Sequence, residues 1–311
     1  MAAPRATRAA DYPARPIRLV IPYAAGASGD QIGRPWVRKM GELLGATYVE
    51  NIGGAGGAVG CLAVAHSAPD GYSLLLGNVS THVLIPLASS RPPYDPVRDF
   101  RALYRLITSA LAIAVHPSTP ANDLQELAAF AKANPGKLSY GTPGAGTGNH
   151  LVGETFKQLA GAPDIVHLPY RGMGPALSDL IGGQILMAIS VVSAPLLEFN
   201  RSGKVRILAV TSGRRLPGAP EIPTVSESGM PELGYSGWFG LFAPRAIPQP
   251  IVDRIAEVTR TAMADPVLQD AYRAQGLEPD TESSPDKLQR LIEEELIRFA
   301  PVMRAIGAKR D

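Results

Sequence analysis

Apolar and polar positions alternate along the first third of the chain in blocks that look in turn like strands and helices. Short apolar runs with branched side chains occupy residues 17–23, 47–51 and 72–78. Between them, residues 28–44 and 53–68 carry patterns typical of helices, the second after a glycine-rich turn. Strand-type runs that alternate with helix-type segments predict a parallel β-sheet with helices on its faces.

The pattern changes between Phe100 and Val115, where two apolar runs stand on either side of Thr108 and Ser109. There is no room for a helix between the runs, so we interpret this stretch as a passage into a second domain. The alternation then resumes up to residue 210. The predicted helices are 122–133, 147–160, 174–181 and 195–201, and the predicted strands are 137–141, 165–170, 185–190 and 205–210.

The last third of the chain begins with a proline-rich segment, 215–234, whose few apolar residues are typical of a linker or a surface excursion. A strand over 235–244 and a mostly helical tail over 249–306 follow. We therefore predict an α/β fold with two lobes. Lobe 1 is discontinuous and comprises 11–104 plus 235–311, lobe 2 comprises 105–234, and 1–10 form an N-terminal arm.

Composition and charge exclude several classes of protein. Of the 311 residues, 45% are hydrophobic and 19% are charged, so the chain can build a full core and is not expected to be disordered. A net charge of +2, from 30 basic and 28 acidic residues, is too balanced for a dedicated nucleic-acid-binding protein. The longest apolar run, Leu106–Val115, is about half of the roughly 20 residues that a membrane span requires.

The chain has one cysteine, Cys61, which excludes a disulfide within the chain and a Cys/His metal cluster. We expect its thiol to be a small buried apolar group. The first residues contain no apolar stretch of the kind found in signal peptides. Two localisations stay open at this point: a cytoplasmic protein, or an exported protein whose leader has been removed.

Residues 141–150, GTPGAGTGNH, lie between a predicted strand and a predicted helix and come close to a phosphate-binding loop. The glycines have the right spacing, but Thr147 stands where the motif requires lysine, so a nucleotide site is not predicted. The dinucleotide fingerprint GxGxxG fails as well, because Val59 and Asn149 stand where its third glycine would follow Gly54-Ala55-Gly56 and Gly144-Ala145-Gly146.

No constellation for catalysis or metal binding stands out. Ser28 follows a predicted strand, but the glycine spacing of a serine hydrolase is wrong, and HExxH is absent. The five histidines do not have the spacing of metal ligands. His150 is notable only because it ends the glycine-rich segment 141–150. We therefore expect no catalytic residue, no metal and no cofactor, and keep His150 as a further candidate for ligand binding.

Two strand–turn–helix corners share the same chemistry, PYAAGASGD over 22–30 and YGTPGAGTG over 140–148. Small residues let backbone amides approach a ligand, and the free amides of a first helical turn suit a carboxylate. One corner alone favours a plain turn, whereas two in separate lobes, facing a common crevice at strand ends, favour a ligand site. The candidate ligand-binding residues are Tyr23, Ala25, Gly26, Ala27, Ser28 and Asp30 in the first corner, and Thr142, Gly144, Gly146 and Thr147 in the second.

Further candidates lie outside the corners. Ser80 and Thr81 follow the third strand, and they either add hydroxyl donors to the site or cap a helix. Tyr170 and Arg171 end another strand, where the arginine is either a solvated surface charge or a group that attracts an acid. Asp30 is unusual in an anion site, so we expect it to cap its helix or to hold water.

Several segments, RPIRLVIPYAAGASGD, VENIGGAGGAVG, KLSYGTPGAGTGNHLVGE and HLPYRGMGPALSDLIGGQI among them, match a known family in order and in spacing. From about Tyr12 to beyond residue 300, the chain resembles the Bug-type extracytoplasmic solute receptors, the substrate-binding components of tripartite tricarboxylate transporters. The resemblance implies a type II, two-lobed periplasmic binding protein of the Venus-flytrap form. It also implies that the loops Tyr23–Asp30 and Thr142–Thr147 grip a carboxylate, partly through ordered water.

The expected partners follow from the same resemblance. They are a small carboxylate ligand and the membrane subunits of a tripartite tricarboxylate transporter. We expect the receptor to be monomeric and periplasmic, with no nucleic-acid partner.

The chain departs from the family pattern in a few places. Ala27 stands where members often have glycine, and residues 33–35 replace a more regular helix start. Many members have a Phe-Asp pair near Ile189 and Ser190, and an acidic residue there could receive an amino group. Its loss favours a plain mono- or dicarboxylate, such as the aromatic terephthalate, over an amino acid. Ser190 is therefore a further candidate ligand-binding residue.

Two other functions stay open from the sequence. The same binding site could serve a ligand sensor for a signalling partner, and an enzyme could use the same two-lobed scaffold. The lack of a nucleophile–base pair or a cofactor loop weighs against an enzyme. The leading prediction is a receptor that captures a small organic acid and delivers it to a transporter.

Overall fold

The computed structural model describes residues 12–23, 25, 28–88, 91–170 and 173–305. Three candidate site residues, Gly26, Ala27 and Arg171, lie outside the described residues. The chain divides into two units: unit 1 comprises Met1–Thr108, Trp238–Tyr272 and Glu278–Asp311, and unit 2 comprises Ser109–Gly237 and Arg273–Leu277. Within the described part of the chain, no helix has the length and apolar character needed to cross a bilayer.

Strands and helices alternate through most of the described chain. The strands are β1 (Ile17–Ile21), β2 (Thr47–Asn51), β3 (Ser73–Asn78), β4 (Phe100–Val115), β5 (Ser139–Thr142), β6 (Val166–Pro169), β7 (Met187–Val191), β8 (Arg206–Val210), β9 (Ser236–Pro244) and β10 (Glu278–Pro279). The helices are α1 (Ser28–Leu43), α2 (Ala58–Ala65), α3 (Ile85–Ala88), α4 (Leu124–Ala133), α5 (Gly148–Leu159), α6 (Met173–Ile181), α7 (Ala194–Arg201), α8 (Gln249–Met263), α9 (Pro266–Arg273) and α10 (Pro285–Ala305). Shorter turns are 3₁₀-helical at Ala55–Gly57 and Pro231–Leu233 and π-helical at Ser80–Leu84.

The sheet of unit 1 contains three parallel strands in the order β2-β1-β3, and β9 continues it antiparallel to β3. The middle strand is covered on both faces, since Leu19, Val20 and Ile21 are all fully buried. Helix α1 lies close to this strand, because a Cβ on Gly33 would come within 2.8 Å of Cδ1 of Ile21. The carboxyl ends of the parallel strands therefore lie together at one edge of the sheet.

In unit 2, β5 lies between β6 and β7 and runs parallel to both, while β4 pairs antiparallel with β7 and β8. Helix α5 follows β5 and packs tightly on it. A Cβ on Gly153 would lie 2.1 Å from Cε2 of the Tyr140 ring, so only glycine fits at this point of the helix. The loop between β5 and α5 is therefore attached to a strand and a helix that pack closely on each other.

The stretch from Phe100 to Val115 is one continuous strand of 16 residues, although Thr108 and Ser109 divide its apolar pattern into two runs. The polar pair does not interrupt it, because Thr108 pairs with Glu278 of β10 and Ser109 is buried. Threonine suits a strand, and the partner that completes its pairing lies far along the chain. The local pattern alone could not show that partner.

The proline-rich segment 215–234 lies within unit 2 and is not a linker between units, whereas its surface course agrees with the prediction, since about half of its residues are exposed. Ile222, Val225 and Leu233 are buried. The N–H of Val225 donates to the carbonyl of Val210 at the end of β8, at 2.9 Å. A few well-placed apolar side chains therefore attach the segment to the unit despite its low apolar content.

Candidate functional site

Two asparagine side chains hold the start of the loop after β1. Nδ2 of Asn78 donates to the hydroxyl oxygen of Tyr23 at 3.0 Å, and Nδ2 of Asn51 donates to the Tyr23 carbonyl at 3.1 Å. Asn51 is the last residue of β2 and Asn78 the last of β3, so the ends of three parallel strands meet around Tyr23. Burial raises the pKa of the Tyr23 phenol, which stays neutral. Ala25, two residues further along the loop, is exposed.

Asp30 lies in the first turn of α1, which begins at Ser28, and it is buried. Its Oδ1 accepts from Nδ2 of Asn51 at 3.0 Å and lies 3.3 Å from Nη2 of Arg34. An acidic group is favourable at a helix N-terminus, and the guanidinium compensates its charge further. The same Asn51 amide group donates to Asp30 and to the carbonyl of Tyr23. Asp30 therefore helps to position the loop through Asn51.

The side chain of Thr81 is fully buried behind the end of β3. Its hydroxyl accepts from the N–H of Asn78 at 2.9 Å, and its own N–H donates to Oδ1 of Asn78 at 3.1 Å. These reciprocal bonds fix the asparagine that supports Tyr23. Ser80, the first residue of the π-helical turn, is half-buried. Direct contact of Ser80 or Thr81 with a ligand stays a prediction.

The loop of unit 2 runs from Thr142, the last residue of β5, to Thr147, the N-cap of α5. Gly144 and Gly146 have φ values of 148° and 74°, which residues with a side chain rarely adopt. A Cβ at either glycine would meet no atom within 4 Å. The backbone conformation therefore requires these glycines, and the space beside them is open. Ala145, between them, is exposed.

Thr147 ties this loop to the start of α5. Its hydroxyl accepts from the N–H of His150 at 3.3 Å and donates to the carbonyl of Gly144 at 2.8 Å. The amides of Ala145 and Thr147 have no acceptor among the described residues. They lie at the positive end of the helix dipole, where an anion is favoured.

Two imidazoles, one on α5 and one on β6, hold the same loop. Nδ1 of His150 accepts from the N–H of Gly146 at 3.2 Å, and Nε2 of His167 lies 2.7 Å from Oγ1 of Thr142. The two rings stack with centroids 4.1 Å apart, and Tyr140 stacks on His167 at 4.9 Å. Burial lowers the pKa of His167 to about 4 and also lowers the pKa of His150, so both rings are neutral at pH 7.

Tyr170 follows β6 and is joined to the loop through the backbone. Its N–H donates to the carbonyl of Thr142 at 2.9 Å. Its hydroxyl donates to Oδ2 of Asp179 at 2.7 Å, and burial raises the pKa of the phenol to about 12. The structure therefore places Tyr170 beside the loop, with its hydroxyl turned to a carboxylate of its own unit.

Ser190 lies in β7 and is buried, and its hydroxyl donates to the carbonyl of Val191 at 3.1 Å. Next to it, Nδ2 of Asn149 in the first turn of α5 donates to the carbonyl of Ile189 at 2.8 Å. The end of β7 is thereby attached to the helix that carries the loop. Both groups are polar and uncharged.

Three residues that support the loops are not among the site residues predicted from the sequence: Asn51, Asn78 and His167. The two asparagines carry a signal, because each is a polar residue at the last position of an apolar strand. His167 carries none, since only its contacts with Thr142 and with the ring of His150 single it out.

Both the sequence and the structure of this chain are similar to those of known solute receptors. Residues 32–308 match the family described as tripartite tricarboxylate transporter family receptor. BugT of Bordetella pertussis is 35% identical over 300 residues, which cover 96% of this chain and 91% of that protein. The structure of the periplasmic binding protein BugD has a TM-score of 0.82 and 32% identity, with 96% of this chain and 100% of that chain covered. A structure of an R. palustris protein with adipate has a TM-score of 0.83 and 31% identity, with 96% and 98% covered.

These similarities extend over nearly the whole chain and confirm the predicted fold class, the α/β fold of two-lobed periplasmic binding proteins. The matched relatives are substrate-binding receptors. The chain belongs to the family of tripartite tricarboxylate transporter receptors and is a solute receptor of the Bug type.

Proposed function

We propose that this receptor binds a small mono- or dicarboxylate in the periplasm and delivers it to the membrane subunits of a tripartite tricarboxylate transporter. One observation carries the proposal: the amides of Ala145 and Thr147 have no acceptor among the described residues, and the space beside Gly144 and Gly146 is open. Similarity to a protein whose structure holds adipate supports a carboxylate as the ligand.

The loop can attract a carboxylate without a fixed cation. Hydrogen bonds from an amide to a charged oxygen are roughly twice as strong as those between neutral groups. The dipole of α5 adds about 0.3–1 kcal/mol at an exposed helix end. Micromolar binding corresponds to about −8 kcal/mol, so this loop needs a second set of donors. The loop after β1, where Tyr23 is fixed by asparagines and Ala25 is exposed, stays a predicted ligand-binding loop.

The uncharged end of β7 supports a preference for plain acids. Ser190 and Asn149 are both bonded to backbone carbonyls, and neither supplies the negative charge that an ammonium group requires. We therefore place aliphatic dicarboxylates such as adipate, and aromatic ones such as terephthalate, ahead of amino acids.

Isothermal titration calorimetry with adipate, terephthalate, aspartate and glutamate tests the ligand class. At least one plain dicarboxylate should bind more tightly than both amino acids. A ligand at 100 times its Kd should also stabilise the receptor by about 2.7 kcal/mol in thermal unfolding. Tight binding of an amino acid alone would contradict the assignment to plain acids.

A proline substitution tests the loop itself. Ala145→Pro removes one amide hydrogen that we assign to the carboxylate, and affinity should fall by about tenfold or more, the equivalent of one charge-assisted hydrogen bond. Ala145→Gly keeps the amide hydrogen and should bind within about threefold of the unchanged receptor. Equal affinity of the proline and glycine variants would remove this loop from the binding site.

Delivery to the transporter is tested by co-purification of the tagged receptor with the membrane subunits in the presence and absence of the bound acid. Capture of those subunits supports the transport role. Capture of a signalling protein in their place would favour the sensor.

A further inference from the structure

The imidazole of His150 accepts a hydrogen bond from one of the loop amides. The N–H of Gly146 donates to Nδ1 of His150 at 3.2 Å. A backbone amide can only donate, so Nδ1 must carry a lone pair and the proton of the neutral ring must sit on Nε2. Nε2 lies 3.9 Å from Oε1 of Glu154, one helical turn further along α5.

Several groups surround this ring. The titratable and charged groups around it or its neighbours are Glu154 and Lys157 on α5, His167 on β6 and Tyr140 on β5. The Tyr235 hydroxyl lies against Gly148 at the start of α5, and Glu232 is exposed on the 3₁₀ turn that packs against the same helix. Burial lowers the pKa of His150 most, while the carboxylate of Glu154 raises it and Lys157 lowers it. The ring is thus neutral while the loop is empty, with a carboxylate close by that would stabilise the charged form.

Protonation would change Nδ1 from a hydrogen-bond acceptor into a donor. The imidazolium has two donors and no acceptor, so a protonated Nδ1 would point its hydrogen at the hydrogen of the Gly146 amide. That bond would be lost, and Gly146 would join Ala145 and Thr147 as a free donor. The imidazolium would add a positive charge beside the loop. Each of these changes favours a bound carboxylate.

We propose that His150 is a positioning residue whose protonation is linked to ligand binding. Its neutral ring holds the Gly146 amide in the empty receptor. The ring takes up a proton from solvent when a carboxylate binds that amide in its place. His167 is the neutral partner, because it holds Thr142 and supports the His150 ring by stacking. This inference rests on the proposed function, since it deepens the description of the same loop.

The expected pH dependence has a definite sign. A bound carboxylate favours the charged ring, so the pKa of His150 is higher in the complex than in the empty receptor. Affinity must then rise as pH falls through the interval between the two values. From about pH 8 to about pH 6, where the ligand carboxylates stay ionised, affinity should increase by about threefold to tenfold.

Calorimetry at these pH values, in buffers with different heats of ionisation, measures the proton uptake directly. The probe is whichever of adipate, terephthalate, aspartate and glutamate binds most tightly. The unchanged receptor should take up a fraction of a proton per ligand. His150→Gln keeps an oxygen that can accept from Gly146 but does not titrate, so uptake and pH dependence should both disappear. His116→Gln, in the turn after β4, is the matched control and should behave as the unchanged receptor.

NMR of the ligand-free receptor gives a second measurement that does not depend on a variant. The amide shift of Gly146 should follow the titration of the His150 ring with the same midpoint. A Gly146 amide that ignores this titration overturns the inference, as does ligand binding without proton uptake, while the proposed function stands in both cases. Absence of binding for all four probes at every pH overturns both.

Discussion

The loop after β1 and the loop after β5 share a glycine-rich pattern but are supported by different chemistry. In unit 1, the side-chain amides of Asn51 and Asn78 hold Tyr23, and neither amide titrates. In unit 2, the imidazoles of His150 and His167 hold the loop, and both titrate. The pattern of small residues shows where the chain turns. Asn51, Asn78 and His167 lie on other strands, whereas His150 lies on the helix that follows the second loop. These groups decide how each loop responds to pH.

The largest expected effect comes from removing the support in unit 1. Asn78→Ala leaves the Tyr23 hydroxyl and the buried N–H of Thr81 without their bonds to the Asn78 side chain. Each buried polar group left unpaired costs about 1–3 kcal/mol, so we expect a loss of about 2–4 kcal/mol in the free energy of unfolding. Urea unfolding measures it as a lower midpoint.

The matched control for this variant is Asn122→Ala, which removes an exposed asparagine side chain whose partner among the described residues is the nearby Glu126. Its effect should stay within about 0.5 kcal/mol. If Asn78→Ala is no more destabilising than this control, the asparagine support of the first loop is not a structural requirement.

The next effect is an opposite response of the two units to pH. In unit 1, Nε1 of Trp238 donates to the buried carboxyl of Glu295 at 2.9 Å, and burial raises the pKa of Glu295 to about 7. A raised folded-state pKa means that the stabilisation is complete below about 4.5 and is lost as pH rises through about 7. In unit 2, the pKa of His167 falls from 6.5 to about 4, so the stabilisation is complete above 6.5 and is lost as pH falls through about 4.

Hydrogen exchange, corrected for the intrinsic pH dependence of exchange, separates the two responses. As pH rises from about 4.5 to about 7, amides around Trp238 should lose up to about 3 kcal/mol of protection. As pH falls from about 6.5 to about 4, amides of β5 and β6 should lose a smaller amount, because the His167 ring is partly exposed and solvent screens its charge. Glu295→Gln should flatten the first profile and His167→Gln the second. Glu293→Gln, exposed on the same helix, should change neither. A common direction of change in both units would contradict the comparison.

Elements with a local signal are predictable from the sequence. The period of apolar residues predicts β1 and α5, and the glycines predict a turn at Gly144 and Gly146. Contacts with a distant partner are not predictable in this way: Asn78 lies 55 residues from Tyr23, and His167 lies 25 residues from Thr142. Local spacing carries no information about such contacts.

The same reason explains which features of the fold the local pattern does not show. Thr108 and Ser109 look like a break, yet the partner strand β10, 170 residues further along, turns them into part of β4. Ile222 and Val225 look too few to hold a proline-rich segment, yet both reach the core of unit 2. Tertiary pairing and burial decide both cases, and neither can be read from a short window.

The smallest expected effect tests whether the N-cap of α5 and the second loop are one structure. Thr147→Ala removes both the bond from the N–H of His150 and the bond to the carbonyl of Gly144. Loss of an N-cap costs about 1 kcal/mol, whereas Thr147→Ser keeps both bonds and should cost about half as much or less. Because one hydroxyl serves the helix and the loop, thermal stability and carboxylate affinity should fall together in the alanine variant. A fall in affinity at unchanged melting temperature would instead assign the hydroxyl of Thr147 to direct contact with the ligand, and the second loop would then differ from the first in its donors as well as in its supports.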